Sequence, residues 1–208
     1  MTRIHRSKER IKQTGEVFTP LELVDEMLSK LPEEVWAPDK TFLEPSCGDG
    51  NFLVRIVAWK IWKAWEQWIE RKKPDGDEIP RDIDEAVSIA TVWQALRTIY
   101  AVDFQHENVE HARERILIHA YLCRPAPAGG NIKSSRPAPM GYEKITPAIE
   151  QQVAEDADFK TFKAQYSHIV NRNIVFHNAL TFNYDDWKAT EIYDADGKVT
   201  GTIPRETI

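Results

Sequence analysis

Residues 42–53 read FLEPSCGDGNFL, and the expected fold follows from the pattern within them. The apolar start is typical of a short buried strand, which leads directly into a turn that contains Gly48 and Gly50. Glycine lacks a Cβ, so two glycines this close permit a tight turn and let a ligand approach the backbone. An apolar helical pattern begins at Asn51 and continues to about Lys73. The stretch therefore predicts a strand, a ligand-facing loop and a helix.

Two further strand-and-helix units follow this loop along the chain. Parallel sheets are built from such alternation, so the order predicts an α/β fold with a doubly wound, mostly parallel sheet and a C-terminal β-hairpin. Ligands bind at the carboxyl ends of the strands in such sheets. We therefore expect residues 44–50, Asp103 and residues 178–180 to lie together. The predicted strands cover 41–43, 98–103 and 173–176, the helices 51–73, 83–97, 107–122 and 147–170, and the hairpin 191–203.

A further helix is predicted upstream of the glycine loop. Thr19 is the expected N-cap residue and Pro20 occupies the first helical position, where a missing N–H costs nothing. The apolar residues Leu21, Val24 and Leu28 recur at helical spacing. This helix therefore presents one apolar face to the core.

The 208 residues are 42% hydrophobic and 29% charged, which is typical of one globular domain with a small appendage. We expect a basic arm over 1–13, a domain over 14–186 with a Pro/Gly-rich surface loop at 124–147, and a C-terminal hairpin or tail over 187–208. The two cysteines give no disulfide framework, and no signal peptide or apolar run of membrane length is visible. These features favour a cytoplasmic protein.

The net charge of −6 predicts that the chain by itself holds nucleic acid weakly. The basic residues are concentrated in the arm over 1–13. This arm either contacts phosphate groups or is a solvated terminus.

The stretch over 42–53 resembles the cofactor motif of the DNA adenine-N6 methyltransferases, Asp-Pro-Ala-Cys-Gly-Ser-Gly-x-Phe-Leu. This sequence has Glu44, Ser46 and Asp49 where the family has Asp, Ala and Ser. The segment TGEVFTP at 14–20 is similar to one that those enzymes place before the loop. The resemblance implies a class I methyltransferase fold of Rossmann-like type, S-adenosylmethionine as cofactor, and DNA modification or restriction-modification in a bacterial or phage-infected cell.

The resemblance also implies a set of cofactor-binding residues. Glu44 offers a carboxylate to the ammonium or sulfonium group, and Asp103 is expected to bind the ribose hydroxyls, the alternative being a helix N-cap. Phe104 either lies against the adenine ring or belongs to the core. The full set comprises Phe18, Thr19 and Pro20 at the methionine end, Glu44, Pro45, Ser46, Gly48, Gly50, Asn51 and Phe52 in the loop, Asp103 and Phe104 after the second strand, and Asn178, Ala179 and Leu180 after the third matching strand.

One family motif has no counterpart in this sequence. The adenine-N6 enzymes carry Asn/Asp-Pro-Pro-Tyr/Phe, which holds the target amino group and stacks on the flipped base. After Leu180 this chain instead reads TFNYDDW over 181–187. We therefore assign no catalytic residue. Either a partner chain supplies the target-base site, or the protein is an inactive cofactor-binding, regulatory or decoy subunit of a DNA modification or anti-restriction system.

The predicted helix over 51–73 carries a run of tryptophans at intervals of three, namely Trp59, Trp62, Trp65 and Trp68. Such a run winds around half of the helix, so it needs cover on more than one side. Either the helix over 83–97 packs on it through Val87, Ala90, Trp93 and Leu96, or the run is a surface for a protein partner. The histidines show no metal-ligand spacing, so no metal is predicted.

Overall fold

The computed structural model describes residues 18–72, 81–125, 145–187, 189–193 and 199–204. It is a mixed α/β structure. Its α-helices are α1 (Leu21–Ser29), α2 (Asn51–Lys72), α3 (Arg81–Arg97), α4 (His106–Cys123), α5 (Pro147–Glu155) and α6 (Ala157–Asn173). Its strands are β1 (Phe42–Glu44), β2 (Ile99–Asp103), β3 (Ile174–Phe176), β4 (Ala189–Tyr193) and β5 (Val199–Pro204).

The parallel sheet has the order β1-β2-β3. Glu44 of β1 is paired with Ala101, and Asp103 at the end of β2 is paired with Phe176. The connections from β1 to β2 and from β2 to β3 both move one position in the same direction across the sheet. Right-handed connections of this kind place their helices on the same face of the sheet. The buried residues follow this rule, since Ala101 and Ile174 belong to the same apolar cluster as the helices.

The opposite face of the sheet carries a separate, smaller cluster. Tyr100 and Val102 form it, and Val175, Ala179 and Phe182 pack against them. A doubly wound sheet needs further strands beside β1, which within the described ranges pairs only with β2. The parallel α/β sheet is thus confirmed, and the doubly wound methyltransferase fold stays a prediction.

The glycine loop fits tightly between β1 and the helices. Gly50 has φ +89°, and a Cβ placed there would lie 3.1 Å from both Cα and Cβ of Ala112 on α4. Here the glycine is required by backbone geometry and by close packing of α2 on α4. Apolar side chains on both helices then complete the core, among them Leu53 and Ile116.

Two sequence-based expectations about helix ends are wrong. The helix expected over 147–170 is two helices, because Asp156 is extended and its carboxylate accepts hydrogen bonds from the N–H groups of Asp158 and Phe159. Asp156 is thus an N-cap, and the periodicity on either side hid the break. Upstream, Pro20 rather than Thr19 precedes the first helical residue, and no side chain caps α1.

The tryptophans of α2 pack mostly within the helical layer. Trp59 stacks on Trp36 with ring centroids 5.3 Å apart, Trp65 is buried, and Trp68 stacks on Trp65 at 5.4 Å. The pairing of α2 with α3 is confirmed. In α3, however, Trp93 is exposed, so its expected role in covering α2 is wrong; Ala90 is also exposed. The proposed partner surface stays a prediction.

The C-terminal hairpin is confirmed, because β4 and β5 pair antiparallel. The basic arm over 1–13, the TGEV part of the upstream motif, most of the 124–147 loop and the hairpin turn lie outside the described residues. The domain boundaries therefore stay predictions. Among the helices that the structure describes, none has the length and apolar character needed to cross a membrane.

Candidate functional site

The predicted site begins where the three parallel strands end. The N–H of Cys47, in the loop after β1, donates to the carbonyl of Val102 at 3.1 Å. The N–H of His177, directly after β3, donates to the carbonyl of Asp103 at 2.9 Å. The loop after β1 and the turn after β3 thus flank the end of β2. This geometry brings together the three segments that the sequence placed at one edge.

Asp103 ties these segments together through its side chain. The carboxylate accepts from the N–H of Gly48 at 2.8 Å, from the N–H of Gln105 at 2.9 Å and from Asn108 Nδ2 at 3.1 Å. Only 6% of the residue is exposed. A carboxylate offers about four acceptor positions, so these three bonds leave about one, on Oδ2. Asp103 therefore ends β2 and also holds the glycine loop through the Gly48 N–H.

Glu44 closes the first strand beside Asp103. Its Oε1 accepts from the N–H of Ser46 at 3.1 Å. Burial raises the pKa of Glu44, the Ser46 N–H lowers it, and the charge of Asp103 raises it further, with a net increase. Burial together with these carboxylates also raises the pKa of the Cys47 thiol. Cys47 is thus a buried, protonated thiol rather than a nucleophile.

The residues after β2 and β3 present an open surface. Phe104 is 72% exposed and Leu180 is 94% exposed. Phe104 therefore does not belong to the core. Asn178 accepts the N–H of Leu180 on its Oδ1 at 2.9 Å, which forms a local turn. Ala179 packs under this surface against the second apolar cluster.

Phe18 lies directly on the glycine loop. A Cβ at Gly48 would come within 2.6 Å of its Cε1 and 2.9 Å of its Cδ1. Gly48 has φ +53°, so its backbone also favours glycine. The space that the missing side chain leaves at Gly48 is thus filled by the Phe18 ring. From the sequence alone, we expected this space to be open to a ligand.

The segment that contains Phe18 is held to α2 by Asn51. The Nδ2 of Asn51 donates to the carbonyl of Thr19 at 3.0 Å. The Oδ1 of the same side chain accepts from Nη1 of Arg115 at 2.8 Å, and that nitrogen also donates to the Asp49 carbonyl at 2.8 Å. Asn51 therefore joins the upstream segment, the glycine loop and α4.

A cavity of about 520 Å³ lies beside this junction, on the helical side of the loop. Four predicted site residues, Phe18, Thr19, Pro20 and Asn51, line this cavity. Most of the others lie at the strand ends. Pro45 and Ser46 are exposed there, whereas Phe52 packs against the core. The cavity is lined by Phe18, Thr19, Pro20, Leu21, Glu22, Asp49, Asn51, His111, Arg115, Pro147 and Glu150.

Arg115 and Glu150 form a buried ion pair at the wall of this cavity. Arg115 Nε donates to Glu150 Oε1 at 3.0 Å, and His119 Nε2 contacts the same oxygen at 2.9 Å. Burial would raise the pKa of Glu150, but the hydrogen bond from His119 and the charge of Arg115 hold it below its usual value. Burial lowers the pKa of His119, so its ring is neutral and donates through Nε2 to Glu150.

The sequence analysis did not identify His111, Arg115, His119 or Glu150 as site residues. His111, Arg115 and His119 recur every fourth residue on α4, and this polar stripe in a buried helix was the available signal. Glu150 could not be linked to them, since it lies on a different helix. No cluster of His, Cys, Asp or Glu suited to a metal ion occurs within the described part of the chain.

The chain was compared with protein-family models, with characterised proteins and with solved structures, and none of the three comparisons gives a match.

Proposed function

We propose that the chain binds S-adenosylmethionine at the carboxyl ends of β1, β2 and β3 and serves DNA adenine-N6 methylation, with the target-base site supplied by a partner. The observation that carries the proposal is the position of Asp103. Its carboxylate lies at the end of the middle strand, bonded to the Gly48 N–H and beside the exposed Phe104 ring. A carboxylate at this position in a Rossmann-like fold binds ribose hydroxyls.

The residues present fit the adenosine part of that cofactor. Asp103 retains about one acceptor position for a ribose hydroxyl. Phe104 offers a large apolar ring with most of its surface free for a base. Asn178 lies at the end of the neighbouring strand, and its amide group gives hydrogen-bonding atoms for the edge of a base.

In the proposed reaction these residues bind and orient rather than transfer protons. The cofactor would supply an electrophilic methyl group on its sulfonium. Asp103 fixes the ribose, Phe104 covers one face of the base, and the loop over 44–50 limits how far the bound molecule can move. Methyl transfer of this kind depends on holding the two reactants in line. The proposal includes a cytoplasmic location, and the two free cysteines, Cys47 and Cys123, are in keeping with a reducing compartment.

Isothermal titration calorimetry with S-adenosylmethionine tests the proposal. We expect wild type to bind and Asp103→Asn to bind at least tenfold more weakly, because an uncharged amide is a poorer partner for a hydroxyl donor. Asp158→Asn is the matched control, since Asp158 is an exposed carboxylate on α6. Absence of binding by folded wild type would refute the proposal.

A second candidate function rests on one sequence observation, the segment TFNYDDW after Leu180 in place of a target-base motif. The protein would then be an inactive cofactor-binding, regulatory or decoy subunit of a DNA modification or anti-restriction system. Transfer of a labelled methyl group to unmethylated DNA separates the two candidates. Transfer by the chain, alone or with a partner protein that carries the missing motif, supports the first; cofactor binding with no transfer in either case supports the second.

A further inference from the structure

The cavity beside the glycine loop has a charged pair at its wall that the strand-end site does not use. Arg115 is 7% exposed and Glu150 is 6% exposed, so both are more than nine-tenths buried. Their contacts occupy Nε and Nη1 of Arg115 and Oε1 of Glu150. Within the described residues, Arg115 Nη2 and Glu150 Oε2 make no hydrogen bond, and neither atom is sealed from solvent. One cationic donor and one anionic acceptor of the same ion pair thus remain available.

The charge of the lining limits which ligand can enter. Glu22, Asp49 and Glu150 contribute three carboxylates, against one guanidinium from Arg115. Burial and the nearby guanidinium lower the pKa of His111, so its ring adds no positive charge at neutral pH. A simple anion would therefore meet more like charge than opposite charge. A ligand that carries a positive group as well as a negative one fits better, because it meets both Arg115 and the carboxylates.

We propose that this cavity binds an α-amino-acid head group, with its ammonium on Glu150 Oε2 and its carboxylate on Arg115 Nη2. The two unpaired atoms match the two charges of such a group, and hydrogen bonds between charged partners are the stronger ones. The head group has two sources, the methionyl end of S-adenosylmethionine or a free amino acid. The first source rests on the function proposed above, and the second does not.

The position of the cavity is consistent with a ligand that extends from the strand ends. Phe18 packs on Gly48 and also lines the cavity. Asp49 belongs to the glycine loop, and its carbonyl and carboxylate both contact Arg115, at 2.8 Å and 3.4 Å. The two regions therefore share a wall made of the loop and Phe18. Neither Arg115 nor Glu150 belongs to the motifs that suggested a cofactor.

The test compares three ligands by calorimetry on wild type and Glu150→Gln. S-adenosylmethionine contains the head group and the nucleoside, 5′-methylthioadenosine contains only the nucleoside, and L-methionine contains only the head group. We expect Glu150→Gln to weaken S-adenosylmethionine and L-methionine by roughly tenfold to a hundredfold, as for the loss of a charged hydrogen bond, and to leave 5′-methylthioadenosine unchanged. Glu155→Gln is the matched control, an exposed acid on the same helix.

The outcomes separate this inference from the proposed function. Equal weakening of S-adenosylmethionine and 5′-methylthioadenosine in Glu150→Gln, or no weakening of any ligand, would overturn the head-group site while the proposed function stands. If wild type binds only L-methionine and Glu150→Gln loses it, the head-group site holds with a free amino acid, and the proposed function fails. If wild type binds none of the three, both fail.

A second variant keeps the test decisive should Glu150→Gln not fold, which circular dichroism would reveal. His111 lines the cavity, and its Nδ1 is enclosed without a hydrogen bond. His111→Trp narrows the cavity and replaces neither Arg115 nor Glu150. We expect this variant to lose L-methionine and to bind S-adenosylmethionine at least tenfold more weakly, with 5′-methylthioadenosine unchanged. Unaltered binding of all ligands by folded His111→Trp would overturn the inference.

Discussion

Replacement of each loop glycine by alanine gives unequal losses of stability. At Gly50 the new Cβ would lie 3.1 Å from both Cα and Cβ of Ala112. These atoms belong to the middle of α4 and cannot move without the helix. At Gly48 the new Cβ would lie 2.6 Å from Cε1 of Phe18, the far end of a side chain that can rotate. The closer contact is thus the easier one to relieve.

The magnitudes follow from two costs. Left-handed backbone costs an alanine roughly 1–2 kcal/mol, and the φ of +53° at Gly48 lies in that region, whereas the φ of +89° at Gly50 lies beyond its usual range. Overpacking against fixed atoms adds about 1–3 kcal/mol. We therefore expect losses in the free energy of unfolding of about 1–2 kcal/mol for Gly48→Ala and about 2–5 kcal/mol for Gly50→Ala. The latter is a large fraction of a typical domain stability.

Urea denaturation followed by tryptophan fluorescence measures both losses, because Trp65 and other tryptophans lie within the fold. The double variant Phe18→Ala/Gly48→Ala isolates the steric part at Gly48. Removal of the ring should leave only the backbone cost, so the coupling energy between positions 18 and 48 should be below about 1 kcal/mol. An equal loss for the two single variants, or a loss below about 0.5 kcal/mol for Gly50→Ala, would refute this account of the loop.

Three further perturbations test other contacts. Burial lowers the pKa of Lys60 from 10.5 to about 8, so between these pH values the unfolded chain holds the proton and the folded chain does not, and stability rises with pH. The unfolding free energy of wild type minus that of Lys60→Met should therefore rise by about 3 kcal/mol across this window. A difference that does not change with pH would contradict the lowered pKa. Asp156→Ala should lower the unfolding free energy by about 1 kcal/mol through loss of the N-cap bond to the Phe159 N–H, with an unchanged urea midpoint as the contrary result. Asp103→Asn should lower the unfolding free energy by about 1–3 kcal/mol without any ligand, because one amide oxygen cannot accept all three N–H bonds that the two carboxylate oxygens accept. Full retention of stability would show that these bonds are dispensable.

The glycine loop and the strand ends were predictable because local patterns encode them. The order of apolar segments gave β1, β2 and β3 with Asp103 at a strand end, and the parallel pairing of these strands is confirmed. Each of these features depends on residues close together in the chain. The helix break at Asp156 was not predicted, because apolar residues recur on both sides of it and only the backbone geometry separates the two helices.

The sequence by itself determined a parallel α/β unit, its glycine loop and the acid that ends the second strand, because alternating apolar segments and turn residues act over a few positions. Only the tertiary structure decided that Phe18 packs on Gly48, that Asp103 bonds to the loop, and that Arg115 meets Glu150 at a cavity wall. These contacts join residues 30, 55 and 35 positions apart along the chain. Such partners are chosen by how the helices pack on one face of the sheet, which no local pattern specifies.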